Sequence, residues 1–408
     1  MFRLINLATF SLLIFTSFLI FSCNKNVQQF SDPALSTPPA GLALGETIAA
    51  RQTDSLYYRL MIKAGTLPII NNKAATFTMF VPDNTAMKLF INAISGGAVP
   101  LAAPDAVFAG FITANIPVAA AVGIVNYNIS GQALPSANIP ATFPNLQYPT
   151  ILNPAPTLSA LLRLTTFPST RNGAWLNNVP FTSVDLMAAN GVIHHTAIVV
   201  VPPQRYLWDR INTDTTLTYL KAAINRADSG TAAPGTLQGA LLNIGANLTV
   251  FAPTDAAFKT TLTGAVAKAL IGMGVPPPTA VAQATFLASS PAVFNNPALF
   301  GVLTAQTVKG IIVYHIFGNR AFTNNFPTIT TFYPTLLNGA IPTHPGVGLT
   351  AVFGVPFVSS ATVKGVGNAT AANIIINNSP LTPDPSGTSD QHYLNGVLHK
   401  IDQVLLPQ

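Results

Sequence analysis

One cysteine, Cys23, is all the thiol chemistry this chain has. With Cys23 used as described below, no disulfide can staple the fold and no thiolate can serve as nucleophile, so stability must come from packed cores. Charge is scarce too, at 8% of residues, and the formal net charge of +6 comes from no run of Lys or Arg. A nucleic-acid partner is therefore disfavoured. The chain has no Gly-x-Ser-x-Gly elbow, His-Glu-x-x-His pair or His-x-x-x-His spacing, so neither a serine hydrolase of that class nor a metal centre is signalled. Glycine strings at 346–351 and 365–370 open no helix after a strand and read as loops. Carboxylates are too sparse to suggest a pair: Asp83, Asp185, Asp228, Asp255, Asp384, Asp390 and Asp402 are the candidates, and none has an obvious mate. The reading is of a non-enzyme without cofactor, with a surface of Thr, Asn, Ser, Ala and Pro.

What is present begins with a leader. Residues 1–22 run from Arg3 through an apolar stretch to the small Ser22, the order of a secretory signal. The segment Leu-Ile-Phe-Ser before Cys23 resembles the lipobox of bacterial lipoproteins, which implies cleavage at residue 22 and acylation of Cys23. Residues 23–41, rich in Asn, Gln, Ser and Pro, read as a flexible tether. These features imply an anchored rather than spanning protein in the cell envelope, on the outer membrane at its periplasmic or outer face, with the membrane as partner through the lipid. The charge-free stretch 107–125 is long enough to raise a span, but Pro117 breaks it; it reads as buried helix of the first domain.

The rest of the chain says the same things twice. TFTMFVP at 76–82 returns as LTVFAP at 248–253, VNYN at 125–128 as IVYH at 312–315, YPTILN at 148–153 as YPTLLN at 333–338, and NGVIH at 190–194 as NGVLH at 395–399. The paired asparagines 177–178 and 377–378 are a fifth anchor. Their steady order predicts two similar domains, 42–204 and 205–408, with insertions at 272–300, 342–354 and 380–391. In each copy a helix, from Asp54 and from Asp214, precedes a strand ended by Pro82 or Pro253. Asp83 in one copy, and Thr254 or Asp255 in the other, can then cap the next helix.

TVFAPTDAAF at 249–258, the Tyr314-His315 pair after a helix, and NGVLHKIDQVLLP at 395–407 together resemble the fasciclin domain. The first copy departs from the pattern, with Asn128 in place of the histidine and His195-Thr-Ala in place of the usual closing residues. The resemblance implies two tandem α+β domains, each a β-sandwich-like wedge with several helices, in secreted or surface-anchored proteins associated with adhesion. It implies an adhesive role for Tyr314 and His315. The residues themselves favour a structural one, since His315 follows apolar Ile311, Ile312 and Val313 and has an asparagine counterpart. His194 and His399 read as structural, while His344 and His392-Tyr393 read as exposed and unpaired. The functional expectation is adhesion or scaffolding through surface loops toward a protein or glycan. The alternative is a glycan- or small-ligand-binding accessory protein of an envelope uptake system.

Overall fold

The computed structural model describes residues 40–232, 235–354, 357–377 and 388–408, which form one compact unit. The leader, Cys23 and nearly all of the tether lie outside the described residues, as do Asn378 and Asp384.

The strand Phe77–Pro82 is buried at every position, and so is Leu248–Pro253. A strand covered on both faces has no use for alternation, and aromatic and branched residues can follow one another along it. Each runs parallel to a late strand, Gly191–Thr196 or Gly396–Ile401, with register Phe77↔Gly191 in one copy and Leu248↔Gly396 in the other. Each also takes a short antiparallel strand on its other edge, Ile129–Ser130 or Ile316–Phe317. The pairs Met79↔Ile129 and Val250↔Ile316 match residue for residue. Met87 and Phe258, one helix turn beyond, are both buried.

Local chemistry sets the ends. The Asp83 carboxylate accepts the Ala86 N–H at 2.8 Å and opens the helix Asn84–Ile94; in the second copy the Thr254 hydroxyl does this, accepting from Ala257 at 3.4 Å. Asp255 is not the cap. It binds back to Tyr219 N–H and the Thr218 hydroxyl, holding the start of Thr218–Ala227 against the start of the helix Asp255–Gly272. Gly65, at φ 69°, stops Ser55–Ala64 with the left-handed turn that glycine tolerates best. The stretch read as buried helix is two helices, Asp105–Asn115 and Val118–Tyr127, bent by 112° at Ile116-Pro117. Only one face of each is covered: Phe108, Ile112, Ala121 and Val125 are buried, while Val107 and Val118 are exposed. Among the described residues no single helix is long and apolar enough to cross a membrane.

The copies differ in their second layer. In the second copy Thr331–Tyr333, Val347–Phe353, Val358–Lys364 and Ala372–Asn373 form a separate antiparallel sheet. Its Val347, Leu349, Ala361 and Val363 pack with Phe251 and Ile401 of the first sheet and with Tyr314 at the end of the helix Ala305–Tyr314, closing a wedge. The expected insertion at 342–354 is thus mostly a core strand, and Gly348 belongs to it rather than to a loop, while Gly346, at φ 84°, lies just before it. A Cβ on Gly348 would crowd Thr330 and Phe332. In the first copy the main sheet is extended by Val179–Ala188, Trp175–Leu176 and Pro168–Ser169, and beside it, among the described residues, stand only the two-stranded pairing of Tyr148–Pro149 with Thr165–Thr166 and a bridge between Ser130 and Thr150. The fold is α+β, in several small sheets.

The copies interlock. Phe143 of the first lies 4.8 Å from the Tyr333 ring, 5.8 Å from Phe326 and 6.2 Å from Phe317, inside the second copy's wedge. Phe167 meets Phe322 at 5.9 Å over Val397. Asn172 donates to the Asn324 and Phe326 carbonyls, and Asn324 donates to the Asn177 carbonyl.

Candidate functional site

The helix Ala305–Tyr314 ends at His315, and both side chains of the Tyr314-His315 pair are fully buried. Leu405 N–H donates to His315 Nε2 at 2.8 Å, so the ring proton sits on Nδ1 and is donated to the Ile311 carbonyl, also at 2.8 Å. Burial lowers the imidazole's pKa to about 4, and the ring is neutral at pH 7. Tyr314 donates to the Gly346 carbonyl and accepts from Val366 N–H. Burial raises its pKa. Neither side chain reaches the surface, so neither can touch a partner in this conformation.

In the first copy Asn128 occupies the same backbone position: Phe80 N–H donates to the Asn128 carbonyl as Phe251 N–H does to that of His315, both at 2.9 Å. Its Nδ2 donates to the carbonyls of Ile124 and Val200, the counterparts of Ile311 and Leu405. The amide and the imidazole join the same two stretches of chain. At the second contact the polarity is reversed, because Asn128 donates where His315 accepts.

His194 and His399 repeat more closely still. Each Nδ1 accepts the N–H of an aspartate, Asp185 at 3.3 Å or Asp390 at 3.0 Å, and each Nε2–H donates to a carbonyl, Leu134 at 2.8 Å or Ala321 at 2.9 Å. Both aspartates have positive φ, 61° and 55°, and both carboxylates hold a hydroxyl and an N–H of one residue, Ser136 or Thr323. Phe80 and Phe251 stack on the two imidazoles. Burial lowers both histidine pKa values against the opposing pull of the aspartates and the carbonyls. Pro82 and Pro253 close the central strands opposite Thr196 and Ile401. Asp402 binds Asn373, and Asp228 accepts from the N–H groups of Leu237 and Gln238.

Two histidines read as unpaired are paired. His344 Nε2 donates to the Pro407 carbonyl, and its Nδ1 accepts from Gly346 N–H. His392 lies at the seam between the copies, where the Arg320 guanidinium donates to its Nε2 at 2.6 Å. The proton is therefore on Nδ1, facing the Tyr127 hydroxyl at 3.3 Å. Burial and the Arg320 charge hold this imidazole well below the usual pKa, and burial lowers Arg320 to about 10. Beside this seam runs an open groove of about 630 Å³, whose lining includes Phe111, Ile124, Asn177, Asn178, His392 and Tyr393. Among the described residues no group of three His, Cys, Asp or Glu side chains is placed to hold a metal.

Sequence reasoning missed a second cluster. His195 lies between Ser183, whose Oγ is 2.9 Å from Nδ1, and Asp54, whose Oδ2 is 3.1 Å from Nε2. The three residues are scattered over 141 positions, and the only signal was a histidine standing where the second copy has Lys400.

No family model matches the sequence, and no curated protein matches it. Among solved structures the chain is similar to a FAS1 domain pair from the insect cell adhesion molecule fasciclin I, covering 86% of this chain and 95% of that one. The identity is 13% and the TM-score 0.32.

Proposed function

We propose that this chain is a tandem fasciclin-like protein of the cell envelope, held to the membrane by acylated Cys23, that works in adhesion or scaffolding through its surface loops rather than through the buried Tyr314-His315 pair. The observation that carries this reading is that three of the four most exposed large apolar side chains among the described residues sit in loops, the fourth, Phe286, lying on a helix. Leu158 and Leu161 are 71% and 88% exposed in an irregular stretch of the first copy, and Ile329 is 78% exposed in a loop of the second. Side chains of this size in loops, on a surface with little charge, are contact points for a partner. The partner is a protein or glycan, without nucleic acid or cofactor.

The test is adhesion of beads coated with the protein to cells or matrix. Leu158→Ser combined with Leu161→Ser should lower attachment several-fold with an unchanged melting temperature; full attachment by that variant would reject the loop reading. Anchoring is tested separately. Cys23→Ala should move the protein out of the detergent phase, and continued labelling of that variant with a fatty-acid probe would reject lipidation.

The groove at the seam favours a second reading, a glycan- or small-ligand-binding accessory protein, because its lining combines aromatic His392 and Tyr393 with the amides of Asn177 and Asn178. A Tyr393→Ala variant that adheres normally but loses binding on a glycan array would select it.

A further inference from the structure

The Ser183–His195–Asp54 cluster lies outside everything used above. Asp54 is completely buried, and its carboxylate is held by the Thr53 hydroxyl at 3.0 Å and Arg51 Nε at 2.9 Å as well as by His195. Burial pushes its pKa up, but the hydrogen bond and charge of His195, with Thr53 and Arg51, outweigh it and leave the carboxyl below its ordinary value. The carboxylate is thus an anion that accepts hydrogen bonds. His195 Nε2 must donate to it, and in the neutral ring Nδ1 is left as a base. The atom against that base is Ser183 Oγ, on an exposed residue of the strand Val179–Ala188. The strand is irregular here: the register jumps between Phe181 and Ser183 and again between Ser183 and Leu186, leaving Thr182, Val184 and Asp185 outside the ladder. Bulges of this kind re-aim side chains. A buried carboxylate that orients an imidazole, with the imidazole's free nitrogen on a solvent-facing hydroxyl, is the arrangement that activates a serine.

The second copy supplies a control within the molecule. At the position of His195 it has Lys400, which pairs with Asp214 at 2.7 Å, and at the position of Ser183 it has Thr388. A polar contact from the last strand to an aspartate near the start of each copy is therefore all that the fold requires at this point. Lysine does that work without offering a base to a hydroxyl, and the first copy has the base and the hydroxyl in addition.

We propose that Ser183 is a nucleophile for carboxylic esters, with His195 as general base and Asp54 as the residue that positions it. Ser183 Oγ bonds to the ester carbonyl carbon as its proton passes to His195 Nδ1. The C–O bond to the alcohol breaks, the alcohol oxygen keeps the electron pair and takes the proton from Nδ1, and an acyl-serine remains. Water that gives a proton to Nδ1 then attacks the acyl carbon, the bond to Oγ breaks, and Oγ recovers its proton, so that ester and water become acid and alcohol. The outer face of the strand, with exposed Val184 and Met187 beside Ser183, suits an ester carried on a large or extended substrate.

The experiment uses the whole chain and a fluorophosphonate, which forms an O–P bond to an activated serine and loses fluoride, with labelled peptides read by mass spectrometry. Ser183 should be labelled at least about 100-fold faster than the exposed Ser159, the scale of general-base assistance. His195→Lys, which installs the second copy's residue, should keep the melting temperature and bring Ser183 down to the rate of Ser159. Asp54→Asn should lower the rate without abolishing it. Equal labelling of Ser183 and Ser159 in the native protein would overturn the proposal, as would preferential labelling that survives His195→Lys. If His195→Lys does not fold, Ser183→Cys in a Cys23→Ala background replaces it. Its thiol should alkylate with iodoacetamide at pH 6 at least about 10-fold faster than that of Ser159→Cys, because a paired imidazole favours thiolate. Equal rates would overturn the proposal.

Discussion

The two copies hold one frame with different chemistry at matched points, and the matched points separate what the fold needs from what each copy adds. His194 and His399 are used identically, with the same aspartate, carbonyl and stacked phenylalanine. Asn128 and His315 tie the same two segments with different groups, so that position needs a two-ended polar side chain and not an imidazole. His195 and Lys400 share only the contact with an aspartate, and there the surplus of one copy is visible as Ser183. The second sheet is the largest difference: the second copy builds it, while the first lends Phe143 to that sheet's core.

The sharpest way to break the comparison is at its most constrained point. Gly191 and Gly396 start the parallel strands, and a Cβ on either would land on the carbonyl of Phe77 or Leu248. Gly396→Ala should cost more than about 4 kcal/mol, enough to leave little folded protein, and Gly191→Ala should do the same; circular dichroism of either variant decides it.

Acid gives the next largest effect. His194, His315, His392 and His399 all have folded pKa values below the unfolded 6.5. Below pH 6.5 the unfolded chain takes up protons that the folded chain refuses, so stability is full above that pH and declines as pH falls, for His315 until about 4. For His315 alone the decline is about 3 kcal/mol. Urea unfolding at pH 7 and pH 4.5 should show it, and His315→Asn should make the slope shallower.

His315→Ala leaves Leu405 N–H and the Ile311 carbonyl unsatisfied and should cost about 1–3 kcal/mol at pH 7. His315→Asn should cost less, with a remainder that reports the reversed polarity at residue 405. If the two variants melt together, the amide of Asn128 is no model for the imidazole, and the matched positions share geometry only.

Much of the frame was legible because the repeat carries its own numbering. The offsets between anchors are the offsets between paired strands, so Phe77 with Leu248 and His194 with His399 could be matched before any coordinates. The second sheet was not legible. Of its strands only Thr331–Tyr333 meets a strand of the first copy through a repeated motif, at Tyr148–Pro149, and the stretch 342–354 read as an insertion with loop glycines. Burial of polar groups escaped notice for a different reason. His344 and His392 find partners at residues 407 and 320, separations that no local pattern encodes. The Ser183 cluster failed at the same step, since Asp54 was read only as the start of a helix.

Phe143 has a mechanical consequence. A tether and two beads on a string would respond to load by straightening the linker near residue 204. Here a force that parts the copies has first to draw an aromatic ring from among Phe317, Phe326 and Tyr333, and to break the Asn172 and Asn324 bonds beside it. The pair should therefore yield as one stiff body with a single high rupture force, and Phe143→Ala should turn that event into an early, softer separation followed by the unfolding of each copy.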